Sequence, residues 1–392
     1  MLNSLYLAWR YILFHKIKTL ILVLSITLII YLPIGLSILM SQSEQQLMER
    51  ANNTPLVIGS KGSSLDLVIN SLYFETAEFD KITMIEVERV DDMGFALPIP
   101  MHIKYKARKY PIVGTTLDYF DFRGIEIEKG SNLAVLGDCV LGANVARDLE
   151  LGVGAGIVSS PENVLDIAGV YPLKMKVVGI LSQSKTADDD VIFTDLKTAW
   201  VIEGLGHGHE DLSKTSDPSV LLKADGNKFV ANAKLFLYNE ITDKNIDGFH
   251  FHGDSSIYPI TSIIAVPNSD KAEALLMGRY ISKGEKNQIV KPDKVVSNLL
   301  EGIFKIKKFL DSIFVVVLFA TLLLLGLIIM LSLRLREKEI LTMFKLGSSR
   351  FKIAELIVLE FIIIFIISAG ISEIMVIFTK EYVDEFIKLF VI

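Results

Sequence analysis

The sequence predicts an α-helical membrane protein with three transmembrane helices and one large mixed α/β domain outside the membrane. Three observations predict it: long apolar segments, basic residues beside them, and an acidic block between the first two. The chain has 392 residues, of which 51% are hydrophobic and 22% charged. Because the apolar residues are gathered in blocks, these proportions indicate a membrane protein and not a soluble one.

Three segments are apolar over the roughly 20 residues that a helix needs to cross a bilayer. The first is 19–40 and the second is 313–333, and neither contains a charged residue. The third is 353–378 and contains three glutamates. The first apolar run is longer than the apolar part of a signal peptide, so we interpret it as an uncleaved anchor.

Charge gives the orientation of these segments. Residues 1–18 carry +3 and residues 334–352 carry +4, whereas residues 41–308 carry −8. Basic loops stay in the cytoplasm. We therefore expect residues 1–18 and 334–352 in the cytoplasm and residues 41–308 outside, which makes the chain multi-pass.

The composition and motifs exclude several functions. One cysteine cannot form an internal disulfide, and a net charge of −6 gives no basic surface for nucleic acid. No Walker A, G-x-S-x-G or H-E-x-x-H pattern occurs. We expect a non-catalytic chain that does not bind ATP through a P-loop and has no nucleic-acid partner.

The large outer segment has the pattern of a mixed α/β domain. Short apolar runs between Gly, Asp and Ser predict strands at Pro55–Ile58, Tyr110–Val113, Asn132–Val140, Lys174–Ile180 and Val191–Phe193. Apolar periodicity predicts helices at Leu65–Leu72, Ala143–Leu149 and Ala272–Arg279. A polar stretch near 205–220 indicates a subdomain boundary.

Four of the six histidines form two H-x-H pairs, His207/His209 and His250/His252. In an extended segment residues i and i+2 lie on one side, so each pair offers two imidazoles to one metal ion. Imidazole with carboxylate suits Zn(II), Cu(II) or Ni(II), and zinc is the cofactor hypothesis. A polar loop with solvated histidines is the alternative.

Acidic residues give three further candidate sites, for ion binding or for contacts within the membrane. Glu203 and Asp254 lie near the histidine pairs, and the run Ala187–Asp190 is either a divalent-ion site or, as we favour, a solvated turn. Glu373 lies deep in the third apolar segment, where a charge is costly in lipid. We interpret Glu373 as a helix–helix contact residue, with a proton relay as the alternative.

The basic loop between the second and third segments is the most informative stretch. It reads RLREKEILTMFKLGSSR over residues 334–350. This resembles the cytoplasmic loop of FtsX/MacB-type ABC transporter permeases, where the segment forms a coupling helix that docks on the ATPase. The resemblance implies that the ATPase-coupling residues are Arg336, Glu339, Ile340, Leu346 and Gly347.

Other segments carry the same resemblance. Leu7–Arg10 with His15–Thr19 resembles the basic amphipathic N-terminal helix of the family, and Leu56–Leu65 with Val140–Ala146 resembles its MacB-like periplasmic core domain. The resemblance implies a porter-type core with an inserted subdomain near 205–265. It also implies no cofactor in this chain, because ATP and Mg bind in the partner.

The resemblance further implies a bacterial cytoplasmic (inner) membrane location, with the large domain periplasmic or extracellular. The implied partners are an ABC ATPase, a second permease copy (homodimer or related permease), a periplasmic adaptor or substrate-binding protein, and the lipid bilayer. Four spans are usual in the family. Residues 379–392 are too short to span and suit an extracytoplasmic interfacial tail, so the fourth helix is missing, supplied by another chain or lost by truncation.

The function implied is the membrane subunit of an ABC transporter. ATP hydrolysis in a separate subunit would move the outer domain, by mechanotransmission, to export or extract a substrate that the sequence does not identify. The alternative is a non-transporting signalling or metal-sensing scaffold that regulates an extracytoplasmic partner.

Overall fold

The structure is a computed structural model and describes residues 2–76, 80–160, 172–208, 221–225, 228–231, 239–243, 245–282, 284–335 and 337–382. The chain divides into two compact units. We call Met48–Ser297 the α/β unit, and Met1–Leu47 with Asn298–Ile392 the helical unit.

The helices in these described residues are α1 Leu2–Phe14, α2 Lys16–Asn52, α3 Ser64–Tyr73, α4 Met84–Met93, α5 Leu117–Arg123, α6 Ala143–Asp148, α7 Leu196–Ile202, α8 Asp270–Arg279, α9 Pro292–Leu335, α10 Glu337–Lys345 and α11 Arg350–Glu381. Short 3-10 turns lie at Ala187–Asp190, Ile246–Gly248 and Ser255–Ile257.

The strands are β1 Leu56–Ser60, β2 Ile82–Thr83, β3 Ala96–Ala107, β4 Tyr110–Thr115, β5 Ile127–Gly130, β6 Asp138–Leu141, β7 Gly156–Val158, β8 Leu173–Leu181, β9 Ile192–Asp195, β10 Gly206–Gly208, β11 Leu221–Asp225, β12 Lys228–Ala231, β13 Asn239–Glu240, β14 Phe249–Phe251, β15 Pro259–Ile260, β16 Ser262–Pro267 and β17 Asn287–Val290.

Eleven of the described strands form one mixed sheet. Its main path is β13-β8-β6-β9-β4-β3-β16-β1-β17, and β5 and β7 also pair with β8. β4 and β9 are parallel, as are β6 and β8, while β3, β16, β1 and β17 are successively antiparallel. The mixed α/β class predicted from the sequence is therefore confirmed for this unit.

Two apolar clusters form the core of the α/β unit. One contains Cys139 and Val177 at 0% exposure, on β6 and β8. The other contains Leu56 and Ile263 at 0% exposure, together with Trp200. All five predicted strands and all three predicted helices occur, although the strand predicted at 132–140 begins only at Asp138.

In the helical unit, two helices of the described residues are long and apolar enough to cross a membrane, α2 and α11. Pro33 lies inside α2. The predicted segment 313–333 lies within the single helix α9, and its crossing of the membrane stays a prediction.

Side-chain contacts join α2 and α11 along their length. Nζ of Lys18 lies 3.9 Å from Oε1 of Glu360, and the Tyr31 hydroxyl lies 2.8 Å from Oγ1 of Thr379. The contacts advance in the same order along both helices, so α2 and α11 run parallel.

Between these two contacts, small polar residues let the helices approach. Oγ1 of Thr27 donates to the carbonyl oxygen of Ser368 at 3.3 Å, and Oγ of Ser368 lies 3.3 Å from the carbonyl oxygen of Val23. Ser368 and Ser372 are 0% and 2% exposed. Small residues at such spacing are typical of helix contacts in membranes.

Candidate functional site

The predicted coupling segment forms a short helix, a tight turn and the start of α11. Helix α10 ends in a Schellman arrangement: the N–H of Gly347 donates to the carbonyl of Phe344, and that of Ser348 to the carbonyl of Met343, both at 3.0 Å. Gly347 has φ +94°, a conformation that costs any residue with a Cβ. A glycine is therefore required where the sequence places one.

The turn then fixes the beginning of the next helix. The hydroxyl of Ser349 accepts a hydrogen bond from the N–H of Lys352 at 3.3 Å and so caps α11. Lys352 pairs with Glu355 at 3.0 Å. These local bonds hold α10 and α11 in one helix–turn–helix.

Several predicted coupling residues can be placed. Ile340 is half-buried on α10, and Leu346 is 81% exposed. Phe351, next to this turn, is 88% exposed. Arg336 and the side chain of Glu339 lie outside the described residues, so their roles stay predictions.

The glutamates of α11 have different surroundings. Glu360 is 4% exposed and pairs with Lys18, a partner on α2 that its sequence neighbourhood does not suggest. Glu373 is exposed. Its predicted role as a helix–helix contact residue stays a prediction.

A buried ion pair lies where the last turn of α2 enters the α/β unit. The guanidinium of Arg50 donates to both carboxylate oxygens of Asp188, at 2.6 and 3.0 Å, and to the Tyr119 hydroxyl at 2.9 Å. Tyr119 also donates to Asp188 at 2.7 Å. The side chains of Arg50 and Asp188 are 7% and 3% exposed.

Burial and charge oppose each other at this pair. Burial raises the pKa of Asp188, but the charge of Arg50 and the hydrogen bonds from Arg50 and Tyr119 outweigh it and lower this pKa to about 2. Burial raises the pKa of Tyr119 to about 12. Asp188 is therefore ionised and Tyr119 is protonated at neutral pH.

The expectation of a solvated turn at Ala187–Asp190 is wrong. Asp188 and Asp189 are buried, and Asp189 accepts hydrogen bonds from the N–H of Ser184 at 2.9 Å and of Lys185 at 2.7 Å. Asp190 accepts from Asn144 at 2.9 Å. These contacts satisfy the carboxylates from within the protein, which also argues against a cation site.

Glu203 belongs to a cluster of basic side chains. Its Oε2 lies 3.1 Å from Nε2 of the buried His102, and its Oε1 pairs with Lys81 and, at 3.7 Å, with Lys104. Burial raises the pKa of Glu203, but the contacts with His102 and Lys81 lower it to about 2. Asp254 likewise caps a 3-10 turn through the N–H of Ser256 at 3.1 Å.

The backbone brings one member of each H-x-H pair together. β10 and β14 are antiparallel, and His207 is directly opposite His250. The rings of His250 and His252 have centroids 4.7 Å apart. His209 and the side chain of His207 lie outside the described residues, and among described side chains no group of three His, Cys, Asp or Glu could hold a metal ion.

Three of the solved structures that match this chain are domains of transporters or permeases. The match to the periplasmic region of MacB from Actinobacillus actinomycetemcomitans covers 65% of this chain and 98% of that region, with 13% identity and a TM-score of 0.37. The extracellular domain of the noncanonic ABC-type transporter YknZ from Gram-positive bacteria covers 60% and 98%, with 9% identity and a TM-score of 0.33. A domain of a putative permease from Porphyromonas gingivalis covers 60% and 86%, with 10% identity and a TM-score of 0.27.

A comparison with curated proteins finds no significant match. The family model of the MacB-like periplasmic core domain, in contrast, matches residues 19–233, which is more than half of the chain. This match covers α2 from Thr19 onward, including Arg50, and most of the mixed sheet, and it indicates that the α/β unit is periplasmic or extracellular. The chain belongs to the MacB-like periplasmic core domain family and is an ABC transporter permease of the FtsX/MacB type.

Proposed function

We propose that this chain is the membrane subunit that converts ATP hydrolysis in a separate ABC ATPase into movement of its own α/β unit. Export or extraction of a substrate would follow from that movement. One observation carries the proposal: the last turn of a membrane-length helix is held inside the outer domain by a buried, fully partnered ion pair.

The first connection is α2. It continues as one helix from Lys16 to Asn52, and its Arg50 is bound by Asp188 and Tyr119. Removing one partner from a buried ion pair leaves the other charge buried without compensation, which strongly destabilises the fold. The domain therefore resists separation from the end of this helix. Displacement of α2 along its axis would therefore move the domain.

The second connection is α9. It is a single helix from Pro292 to Leu335 and is followed within two residues by the coupling helix α10. A push on α10 would reach the α/β unit through α9. The exposed Leu346 and Phe351 offer an apolar surface on which an ATPase would dock.

The topology proposed is multi-pass. Parallel packing of α2 and α11 requires that both leave the same side of the membrane. The basic segments before each of them, at 1–18 and 334–352, favour the cytoplasm as that side. The helix α9 would then be the return span between them.

The test uses the full chain reconstituted in lipid with its partner ATPase, and it measures stimulated ATP hydrolysis. Gly347→Ala forces a Cβ into a left-handed conformation at a cost of about 1–2 kcal/mol, so we expect stimulation to fall about 5- to 30-fold. Gly326→Ala is the matched control, because its Cβ would lie in open space within α9. Full stimulation in Gly347→Ala would contradict the coupling role.

A second candidate function is metal sensing without transport. It is favoured by the register that opposes His207 and His250 in the outer domain. If it is correct, zinc added outside reconstituted vesicles changes ATP hydrolysis while no cargo moves. An ATPase rate that ignores zinc would argue against it.

A further inference from the structure

Helix α5 directs two side chains, one helical turn apart, to the end of α2. Tyr119 and Arg123 occupy positions i and i+4 of α5, which share one face of a helix. The Tyr119 hydroxyl accepts a hydrogen bond from Arg50 at 2.9 Å, and Nη2 of Arg123 donates to Oγ1 of Thr54 at 2.8 Å. Both contacts therefore lie at the last turn of α2 and the segment just after it.

The Thr54 hydroxyl connects Arg123 to the backbone of α2. Oγ1 of Thr54 accepts from Arg123 and donates to the carbonyl oxygen of Arg50 at 2.9 Å. That carbonyl belongs to the last turn of the helix, which carries the negative end of the helix dipole and favours a nearby cation. Thr54 is 1% exposed, so its hydroxyl is sheltered from competing water.

Aromatic rings fix the direction of the Arg123 guanidinium. Its Cζ lies 4.8 Å from the centroid of the Phe122 ring and 5.8 Å from that of the Tyr119 ring, distances at which a ring attracts a cation. The Tyr119 ring in turn packs against Phe193 of β9, with centroids 5.5 Å apart. The orientation of Arg123 is therefore tied to the central sheet.

The charge of Arg123 is less well compensated than that of Arg50. Arg50 donates to both carboxylate oxygens of Asp188, whereas among the described residues the buried Nε of Arg123 has no hydrogen-bond partner. Burial lowers the pKa of Arg123, so the folded domain disfavours its charge. We therefore expect Arg123 to orient the end of α2 and to add little to the stability of the domain.

We propose that Arg123 is a positioning residue for the movement of the α/β unit, because through Thr54 it fixes the direction of the end of α2 against α5. The Arg50–Asp188 pair anchors the same helix end. A helix end with one attachment can turn about it, whereas two attachments prevent this rotation. This role rests on the proposed function, since the direction of α2 matters only if α2 moves the domain.

Hydrogen exchange of the full chain in lipid nanodiscs tests this contact without ATPase or ATP. The amides of Asn53 and Thr54 donate to the carbonyls of Glu49 and Ala51 at 3.0 and 3.2 Å, so their exchange reports opening of the helix end. Loss of one hydrogen bond should make this exchange about 2- to 12-fold faster in Arg123→Met, after correction for intrinsic rates. The double variant Thr54→Val/Arg123→Met should exchange no faster than Thr54→Val, because Arg123 acts through Thr54.

Arg279→Met is the matched control, because it makes the same substitution at an exposed position of α8. Its exchange at the helix end should equal that of the wild type. Urea unfolding, followed by Trp200 fluorescence in the Trp9→Phe background, separates positioning from a structural role. The midpoint in Arg123→Met should not be lower than in the wild type, and a lower midpoint would overturn the positioning role.

Stimulated ATP hydrolysis with the partner ATPase tests whether the contact serves the movement. In Arg123→Met we expect kcat to fall at least about twofold, while the KM for ATP is unchanged because ATP binds to the partner. Wild-type exchange in Arg123→Met, or faster exchange with a wild-type kcat, would overturn the positioning role. Loss of stimulation in Gly347→Ala with a wild-type kcat in Arg123→Met would refute this role alone, whereas full stimulation in Gly347→Ala would contradict the proposed function itself.

Discussion

The α/β unit and the helical unit differ in the apolar residues that they expose. In the α/β unit apolar side chains of the central sheet are buried, with Val57 and Ile58 at 0% exposure. In the helical unit Val316 is 67% exposed, whereas Ser368 is 0% exposed. Each unit therefore exposes the residues that suit its surroundings. Water surrounds the α/β unit, and lipid surrounds the helical unit.

Their ion pairs differ in the same way. Arg50 and Asp188 are enclosed by the domain and are joined by two hydrogen bonds and a tyrosine. Lys18 and Glu360 meet at 3.9 Å, and Lys18 keeps 30% of its side chain exposed near a helix end. We infer that the first pair supports the fold of the domain and that the second adjusts the contact between two helices.

The sharpest test of this difference removes Asp188. Asp188→Ala leaves the charge of Arg50 buried without its partner, and we expect the free energy of unfolding to fall by about 3–5 kcal/mol. Trp200, which is 4% exposed in the domain core, reports urea unfolding of the full chain in micelles when Trp9 is replaced by Phe. Glu128→Gln is the matched control, because its pair with Lys129 is exposed, and it should change stability by less than about 0.5 kcal/mol. Equal losses of stability in Asp188→Ala and Glu128→Gln would show that the buried pair supports the fold no more than an exposed pair does.

In the helical unit the largest effect should come from a small residue. Ser368→Leu inserts a large side chain between α2 and α11, and we expect a loss of about 1–3 kcal/mol through overpacking. Thermal melting of the full chain in detergent, followed by circular dichroism, measures it. Ile366→Leu, at a position that is 63% exposed, should melt like the wild type. If both variants melt alike, the buried stripe of α11 is not a helix contact.

The low pKa values of Asp188 and Glu203 predict how acid acts on the α/β unit. Because both values are about 2 in the folded chain, below the ordinary carboxylate range, their stabilisation is complete above about pH 4.5 and is lost as the pH falls toward 2. Each group adds at most about 1.4 kcal/mol per pH unit within that window.

Urea unfolding at pH 5, 4 and 3 checks this prediction. Asp188→Asn should start less stable and lose less stability on acidification than the wild type. In the double variant Asp188→Asn/Glu203→Gln the free energy of unfolding should change with pH by even less. If the free energy of unfolding of either variant fell more steeply with acidification than that of the wild type, these two carboxylates would not be the stabilising groups.

The smallest effect should be that of the pair at the helix end. A double-mutant cycle with Lys18→Met and Glu360→Gln should give a coupling energy of about 0.5–1 kcal/mol, because Lys18 is partly solvated. Thermal unfolding in lipid nanodiscs measures it. A coupling as large as the loss in Asp188→Ala would erase the distinction between the two pairs.

Most elements of the α/β unit could be predicted because their signals are local. The strand at Tyr110–Thr115 and the helix at Ser64–Tyr73 follow from apolar runs between turn residues. The first half of β3 was not predicted from the sequence, and there Pro98 and Pro100 argue against a central strand. The pairing with β4 begins only at His102, so both prolines lie where that side of β3 is an edge.

The candidate sites also differ in whether neighbouring or distant residues determine them. The predicted coupling segment has a local structure that depends on neighbouring residues: a helix, a left-handed glycine and an N-cap lie between Glu337 and Ser349. Its coupling role stays a prediction. The partner of Glu360 could not be identified from the sequence, because Lys18 lies on another helix, far away along the chain.

The sequence by itself determined the apolar segments, their charge asymmetry, the glycine of the coupling turn and the two H-x-H pairs, since each depends on neighbouring residues. Only the tertiary structure decided that Arg50 meets Asp188, 138 residues away, and that His207 stands opposite His250. Such pairs depend on strand register and chain crossing, which are set by the packing of the whole core and leave no mark in the local pattern.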